Sequence, residues 1–400
     1  MARILTCWEM GNGLAYIEGI TAAGRVFRKA GHEVQFALRD LSHAERLQGG
    51  KFTFYQAPTQ VLPSPDLVRN PMSFADVLIN LGFGRPANVT ARVRAWRALL
   101  DLVKPDIVRC VHAPGALLAA RGTSIRSLAV GIGFLIPPPI SPLPNLRGWD
   151  KQANTGHMLT REQLVLDGFN QALKAIGAPP VASVGALYAE ADVCELYTYP
   201  ELDDYGPRSG VRYHGNFQPG IGEAPVWPAG SGKRIFAYLE KYKSLPGVLK
   251  VLAASGNPVL VYMAHPPEEL LKQYATGNLR IAMKPLNIPE TAAQCDIGVS
   301  QGGHNIAGSF LMAGKPQLCL PALFPEAVTA GKVFALGAGI SSSMLAQDLQ
   351  PALSRLLQDT VMARKAAEYG ASVRSMTPEF SIQGALETVE ELAKAGPRRV

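Results

Sequence analysis

Four hundred residues are long for one hydrophobic core and comfortable for two domains. Apolar residues make up 47% and charged residues 18%, the balance of an ordinary globular chain, and no apolar run reaches the roughly 18–20 residues of a membrane span. The formal charge of +7 is spread without a dense Lys/Arg tract or interleaved aromatics, which argues against nucleic acid and suits anionic small molecules, with peripheral contact to an acidic membrane allowed.

The opening segment Met1–Cys7 reads as a strand, with no apolar core and cleavage site of an export signal behind it. Cys7, Cys110, Cys194, Cys295 and Cys319 lie far apart, without metal-ligand spacing. Buried, reduced thiols in a cytoplasmic protein are the expectation, with no metal.

A glycine turn, Gly11-Asn12-Gly13, follows the first strand, and a helix is expected over 17–30. Residues 32–38 and 51–55 read as strands, 73–81 and 88–103 as helices, and 106–111 as a buried strand. A helix from Gly115 and a strand over 127–131 complete the series. Strands alternating with helices predict a parallel sheet covered on both faces. The proline run Pro137–Pro144 fits a rigid loop over a ligand site, and a long helix is expected over 160–176. Residues 218–232, rich in Gly and Pro, mark a domain boundary. Five more strands are read at 234–238, 258–263, 279–283, 296–300 and 317–320, with helices between them. The last helix, Ser381–Ala395, puts Ile382, Ala385, Leu386, Val389, Leu392 and Ala393 on one face.

The most informative stretch is Asp296-Ile297-Gly298-Val299-Ser300-Gln301-Gly302-Gly303-His304-Asn305. A strand ends in Ser-Gln-Gly-Gly and a helix begins. Two glycines there let a ligand approach the backbone, and the helix start favours an anion such as a diphosphate. Ala313-Gly314-Lys315-Pro316, Pro321, Phe324-Pro325-Glu326 and Gly337-Ala338-Gly339 follow. Gly11-x-Gly13 lacks the third glycine of a dinucleotide fingerprint, since Tyr16 stands there.

Residues Cys295–Gly339 resemble the donor-binding half of family 1 glycosyltransferases and their bacterial relatives. Trp8–Leu14, Gly31-His32-Glu33-Val34, Gly133-Phe134 and Pro200-Glu201-Leu202-Asp203 resemble one bacterial subgroup. The resemblance implies an α/β GT-B fold of two facing Rossmann-like domains: residues 1–218 on the acceptor side, 219–378 for the donor, and 379–400 crossing back. It implies a UDP- or dTDP-sugar donor, a small-molecule acceptor and an inverting transfer, with no cofactor.

It also distributes roles. Ser300, Gln301, Gly302, Gly303, His304 and Asn305 would hold the donor diphosphate. Glu326 stands where the family has a sugar-binding Gln. Leu286 and Asn287 stand where the nucleobase meets backbone, and Gly11 and Gly13 would line the opposite wall. The family His before Gly-Gly is Gln301 here, and its N-terminal catalytic His maps to Tyr16. Tyr has a pKa near 10 and is a poor base at neutral pH. His112, at the end of a strand, is the substitute base the sequence offers, with Tyr16 beside the acceptor; Glu9 and Glu18 rank below it as solvated or helix-face carboxylates. The alternatives are a catalytically degraded relative that binds nucleotide or supports a partner enzyme, and a nucleotide-sugar epimerase.

Overall fold

The computed structural model describes residues 1–11, 14–42, 44–48, 50–60, 64–150, 154–218, 220–274 and 276–399, with the backbone alone at 14–16, 46 and 48. The chain divides into two compact units, Met1–His214 with Glu379–Val400, and Gly215–Pro378. The first crossing falls four residues before the boundary read from the sequence at 218.

The first unit contains β1 (Arg3–Trp8), β2 (Glu33–Leu38), β3 (Thr53–Gln56), β4 (Ile107–Val111), β5 (Arg126–Gly131), β6 (Val193–Leu196) and β7 (Arg212–Tyr213). They form one parallel sheet in the order β3-β2-β1-β4-β5-β6-β7. Its helices are α1 (Leu14–Lys29), α2 (Glu45–Gln48), α3 (Phe74–Asn80), α4 (Pro86–Val103), α5 (Pro114–Ala120), α6 (Thr155–Ala175) and α7 (Ala186–Ala189). Central strands β1 and β4 are buried on both faces, which is why they read as unbroken apolar runs.

Helix starts follow local chemistry. Pro86 opens α4 at a position whose N–H has no helical partner. Helix α6 begins at Thr155, earlier than the expected 160, because the Asn154 side chain accepts the His157 N–H at 3.2 Å. Strands β6 and β7 were not expected as strands. β6 carries the fully buried Glu195, whose carboxylate meets His214 at 3.2 Å. A charge inside a strand hides it from a reading that relies on apolar runs.

The second unit contains β8 (Ile235–Tyr238), α8 (Leu245–Ala254), β9 (Val259–Tyr262), α9 (Glu268–Gln273), β10 (Leu279–Ala282), α10 (Ile288–Gln294) and β11 (Ile297–Ser300). After them come α11 (His304–Met312), β12 (Gln317–Cys319), α12 (Phe324–Ala335), β13 (Gly339–Ser341), α13 (Ala346–Gln358) and α14 (Thr360–Ser372). The sheet is parallel, in the order β10-β9-β8-β11-β12-β13. Gly298 in β11 lets α11 lie against the sheet, because a Cβ there would meet the Phe310 ring at 2.5 Å.

The final helix, α15 (Pro378–Ala395), packs in the first unit. Ala385, Val389 and Leu392 share a core with Ile4, Phe27, Phe36 and Leu38. Burying side chains as large as Val389 and Leu392 is worth about 1.5–3 kcal/mol each. Arg212 anchors the helix's polar side, donating to Thr388 at 3.0 Å and to Glu391 at 2.7 Å.

Candidate functional site

Each sheet reverses its winding once, and open α/β sheets take ligands at the carboxyl ends of the strands flanking that point. In the second unit the reversal lies between β8 and β11, where the chain runs Ser300-Gln301-Gly302-Gly303 into α11. Gly302 has φ +88°, a conformation other residues resist, and the Ser300 hydroxyl accepts its N–H at 3.1 Å. Gly303 is the residue before α11 and differs in kind: a Cβ on it would meet only Ile306, at 3.7 Å. The backbone at the helix start is therefore approachable. The leading N–H groups of a helix have no carbonyl behind them and carry the positive end of its dipole. His304 and Asn305 are the first two residues of that helix.

Gln301 is buried, and its Oε1 accepts the Glu240 N–H at 3.3 Å, joining the ends of β11 and β8. Glu326 on α12 is also buried. Its Oε2 accepts the N–H groups of Ala322 and Leu323, both at 2.8 Å. Burial pushes its carboxyl up, those two amides and the Tyr242 hydroxyl oppose the shift, and the Glu240 charge adds to it. Tyr242 is itself raised, first by burial and then by Glu326 and Glu240. Glu240 and Tyr242 follow β8 directly; polar residues at the carboxyl end of a strand were the signal that could have singled them out.

Leu286 and Asn287 lie beyond β10. The Glu223 N–H donates to Pro285 O, and the Asn287 N–H to Glu223 O, both at 2.8 Å. Parallel pairing of this kind turns the N–H and C=O of the intervening Leu286 to the opposite side. The Asn287 side chain caps α10, accepting from the Glu290 N–H at 3.2 Å. Ser300 to Asn305, Glu240, Tyr242 and Glu326 thus gather at the reversal point, while Leu286 and Asn287 stand two strands away on the same edge.

In the first unit the reversal lies between β1 and β4. Gly13 and the side chain of Tyr16 are outside the described residues. Gly11 adopts φ +88°, and its carbonyl accepts from Arg39 Nη1 at 3.3 Å. Arg39 follows β2, is half-buried, and has no carboxylate partner among the described residues. His112 is 3% exposed and holds φ +50°, unusual for a side chain with a Cβ. Its N–H donates to Val130 O and its carbonyl accepts from Met10, so the turn locks the ends of β4, β5 and β1. Its Nε2 accepts the Ile132 N–H at 3.4 Å. A neutral imidazole with Nε2 accepting carries its proton on Nδ1. The Nε2 lone pair, to which the sequence reading gave the proton-accepting role, thus faces the Ile132 N–H at the long end of hydrogen-bond distance.

Glu9 also departs from expectation. It is not solvated: Oε2 accepts the Gly115 N–H at 2.7 Å, and Oε1 meets Arg92 at 3.4 Å in a buried pair. Burial lifts its carboxyl to about 6 in spite of Arg92, Gly115 and Trp96. Glu18 lies on α1, half-buried. The loop after β5 is held from behind. Tyr205 donates to Phe134 O at 3.2 Å, and Arg208 donates to Ile136 O at 2.7 Å while paired with Asp203 at 2.9 Å.

All five cysteines are buried free thiols. Among the described residues, no group of three or more His, Cys, Asp or Glu side chains is placed to hold a metal ion, and no helix is long and apolar enough to cross a membrane.

No protein-family model and no curated protein matches the chain. Solved structures do. The glycosyltransferase SnogD from Streptomyces nogalater is similar over 97% of this chain and 99% of its own, with 16% identity and a TM-score of 0.66. SsfS6, a glycosyltransferase of Streptomyces sp. SF2575, is similar over 96% and 99%, with 18% identity and a TM-score of 0.63. The glycosyltransferase VinC, solved with dTDP, is similar over 98% of each chain, with 15% identity and a TM-score of 0.67. The fold of this chain is the GT-B fold of those glycosyltransferases.

Proposed function

We propose that the protein is a glycosyltransferase that moves a sugar from a UDP- or dTDP-linked donor to a small-molecule acceptor with inversion. The observation that carries the reading is the approachable Gly302-Gly303 turn into α11 at the strand-order reversal. The diphosphate would lie on the amides of Gly303, His304 and Asn305, where backbone and helix dipole favour an anion. Leu286 offers one N–H and one C=O on the side away from Glu223, a match to the O4 and N3–H edge of uracil or thymine. Glu326 would face the sugar with the carboxylate oxygen that Ala322 and Leu323 do not use. Inversion is supported by the same site. Glu326 is tied to two amides, which suits it poorly to form a covalent glycosyl intermediate.

The neighbours' ligands point the same way: SsfS6 is complexed with thymidine diphosphate, and SpnG, a spinosyn rhamnosyltransferase, with thymidine diphosphate and with spinosyn aglycone. The engaged lone pair of His112 favours a second reading, a nucleotide-binding relative without transfer. Calorimetry with UDP and dTDP tests the donor site: binding by the unmodified chain and its loss in Gly303→Val support it, and unchanged affinity in the variant removes it. Slow hydrolysis of UDP- or dTDP-glucose separates an active transferase from the second reading.

A further inference from the structure

Among the described residues, neither His112 nor Glu9 on the acceptor side of the first unit offers a free proton-accepting atom. His112 spends its Nε2 lone pair on Ile132, and Glu9 is closed in by Arg92, Gly115 and Trp96. What the same edge does present is positive charge. Arg92 and Arg208 are matched by Glu9 and Asp203. Arg39 has no carboxylate among the described residues, and its guanidinium donates to the Gly11 carbonyl beside the β1–β4 reversal point.

We infer that the acceptor is a carboxylate, held by Arg39 at the β1–β4 edge, and that the product is a glycosyl ester. The inference rests on the transferase reading above. A carboxylate oxygen is already an anion at neutral pH, so it needs no base. In the step, one carboxylate oxygen forms a bond to the anomeric carbon of the donor. The bond from that carbon to the diphosphate oxygen breaks, and its electron pair leaves on the nucleoside diphosphate. No proton moves. An alcohol or phenol would have to lose a proton, and neither His112 nor Glu9, as the described residues hold them, is free to take it. A phosphate dianion would leave one charge unmatched beside a single guanidinium, whereas a carboxylate matches its planar fork and its charge.

The experiment uses the full chain with UDP-glucose and dTDP-glucose and matched acceptors: benzoate against benzyl alcohol and phenol, 2-naphthoate against 2-naphthalenemethanol, and phenyl phosphate. Nucleotide affinity is measured by calorimetry in parallel. Transfer to the carboxylates should exceed transfer to the matched alcohols by at least about 10²-fold, the lower bound for a missing base. Arg39→Gln should lower kcat/KM for the carboxylates roughly 10–100-fold, and Arg39→Lys less, with UDP affinity unchanged. Equal use of alcohol and carboxylate, preference for phenyl phosphate, or an Arg39→Gln loss shared by neutral and charged acceptors overturns the inference. No transfer to any acceptor by a chain that binds nucleotide overturns it and leaves the donor site standing. Failure to bind nucleotide at all brings down the transferase reading first, and this inference with it.

Discussion

Glu9 and Arg92 meet 3.4 Å apart, with side chains only 1% and 7% exposed, directly behind the loop that leaves β1. Arg92 also donates to Leu81 O at 2.9 Å and lies over the Phe83 ring. The carboxyl of Glu9 is lifted from its usual 4.5 to about 6, so burial outweighs the pairing. A raised carboxyl favours the folded state most when protonated. Its contribution, about 2 kcal/mol, is complete below pH 4.5 and is lost as pH rises through about 6. Arg92→Met removes the cation that faces Glu9 among the described residues. At pH 8 the variant should lose about 3–5 kcal/mol, because a buried carboxylate is left unmatched. At pH 5 Glu9 is protonated, and the loss should shrink toward about 1 kcal/mol for the missing bond to Leu81. Urea unfolding at the two pH values checks this, and equal losses would show that Glu9 does not titrate in this range.

Gly302 and Gly303 are neighbours with opposite demands. At Gly302 an added Cβ must accept φ +88° and sit 3.0 Å from the Glu326 carbonyl. Gly302→Ala should cost about 1–2 kcal/mol from the backbone alone. At Gly303 the φ of −57° is ordinary and the Cβ has room. Gly303→Ala should fold with its stability within about 0.5 kcal/mol of the parent. Its effect belongs in calorimetry with UDP, where a drop of about 10-fold is expected if phosphate lies against that amide. Thermal unfolding and calorimetry on both variants separate the two effects.

That contrast shows what the sequence made legible. The strand, the glycine pair and the helix start can be read from Ile297–Met312, because apolar periodicity and Gly have direct backbone meaning. Gly302 and Gly303 look alike in a sequence; only φ and the neighbours of a Cβ distinguish them. Strands β6 and β7 were missed because Glu195 and Arg212 interrupt the apolar pattern, and their partners His214 and Glu391 are distant in sequence. The engagement of His112 was equally out of reach, since Ile132 joins it through the pairing of β4 with β5. A single arginine after a strand belongs to no motif, so nothing in the sequence marks Arg39.

Glu326 accepts two backbone N–H groups at the start of α12, and a Gln side chain can accept the same two through its oxygen. Glu326→Ala should cost about 1–2 kcal/mol, the range for a lost helix cap. Glu326→Gln should keep most of that stability. If the second oxygen of Glu326 meets the donor sugar, Glu326→Gln should raise the donor KM with UDP or dTDP affinity unchanged, since the nucleotide lacks the sugar. Melting curves on the pair and donor kinetics on the Gln variant test both parts. A stable Gln variant with parental donor KM would confine Glu326 to capping.

His112 is the proton acceptor the sequence reading offers, and Asn is the replacement that separates its backbone from its side chain. Asn takes positive φ more readily than most residues, so His112→Asn should keep the φ +50° turn that joins β4 to β1 and β5. The imidazole and its bond to Ile132 are lost. A general base contributes about 10²–10⁴-fold in rate. A positioning residue whose lone pair is already engaged should contribute less, and transfer to benzoate by His112→Asn is expected to fall by less than about 10-fold. The readout is kcat with saturating donor, alongside a melting curve that confirms folding. A loss of 10²-fold or more in a folded variant, found with benzyl alcohol and not with benzoate, would return the base to His112: the Ile132 contact, long at 3.4 Å, would then be one the acceptor displaces.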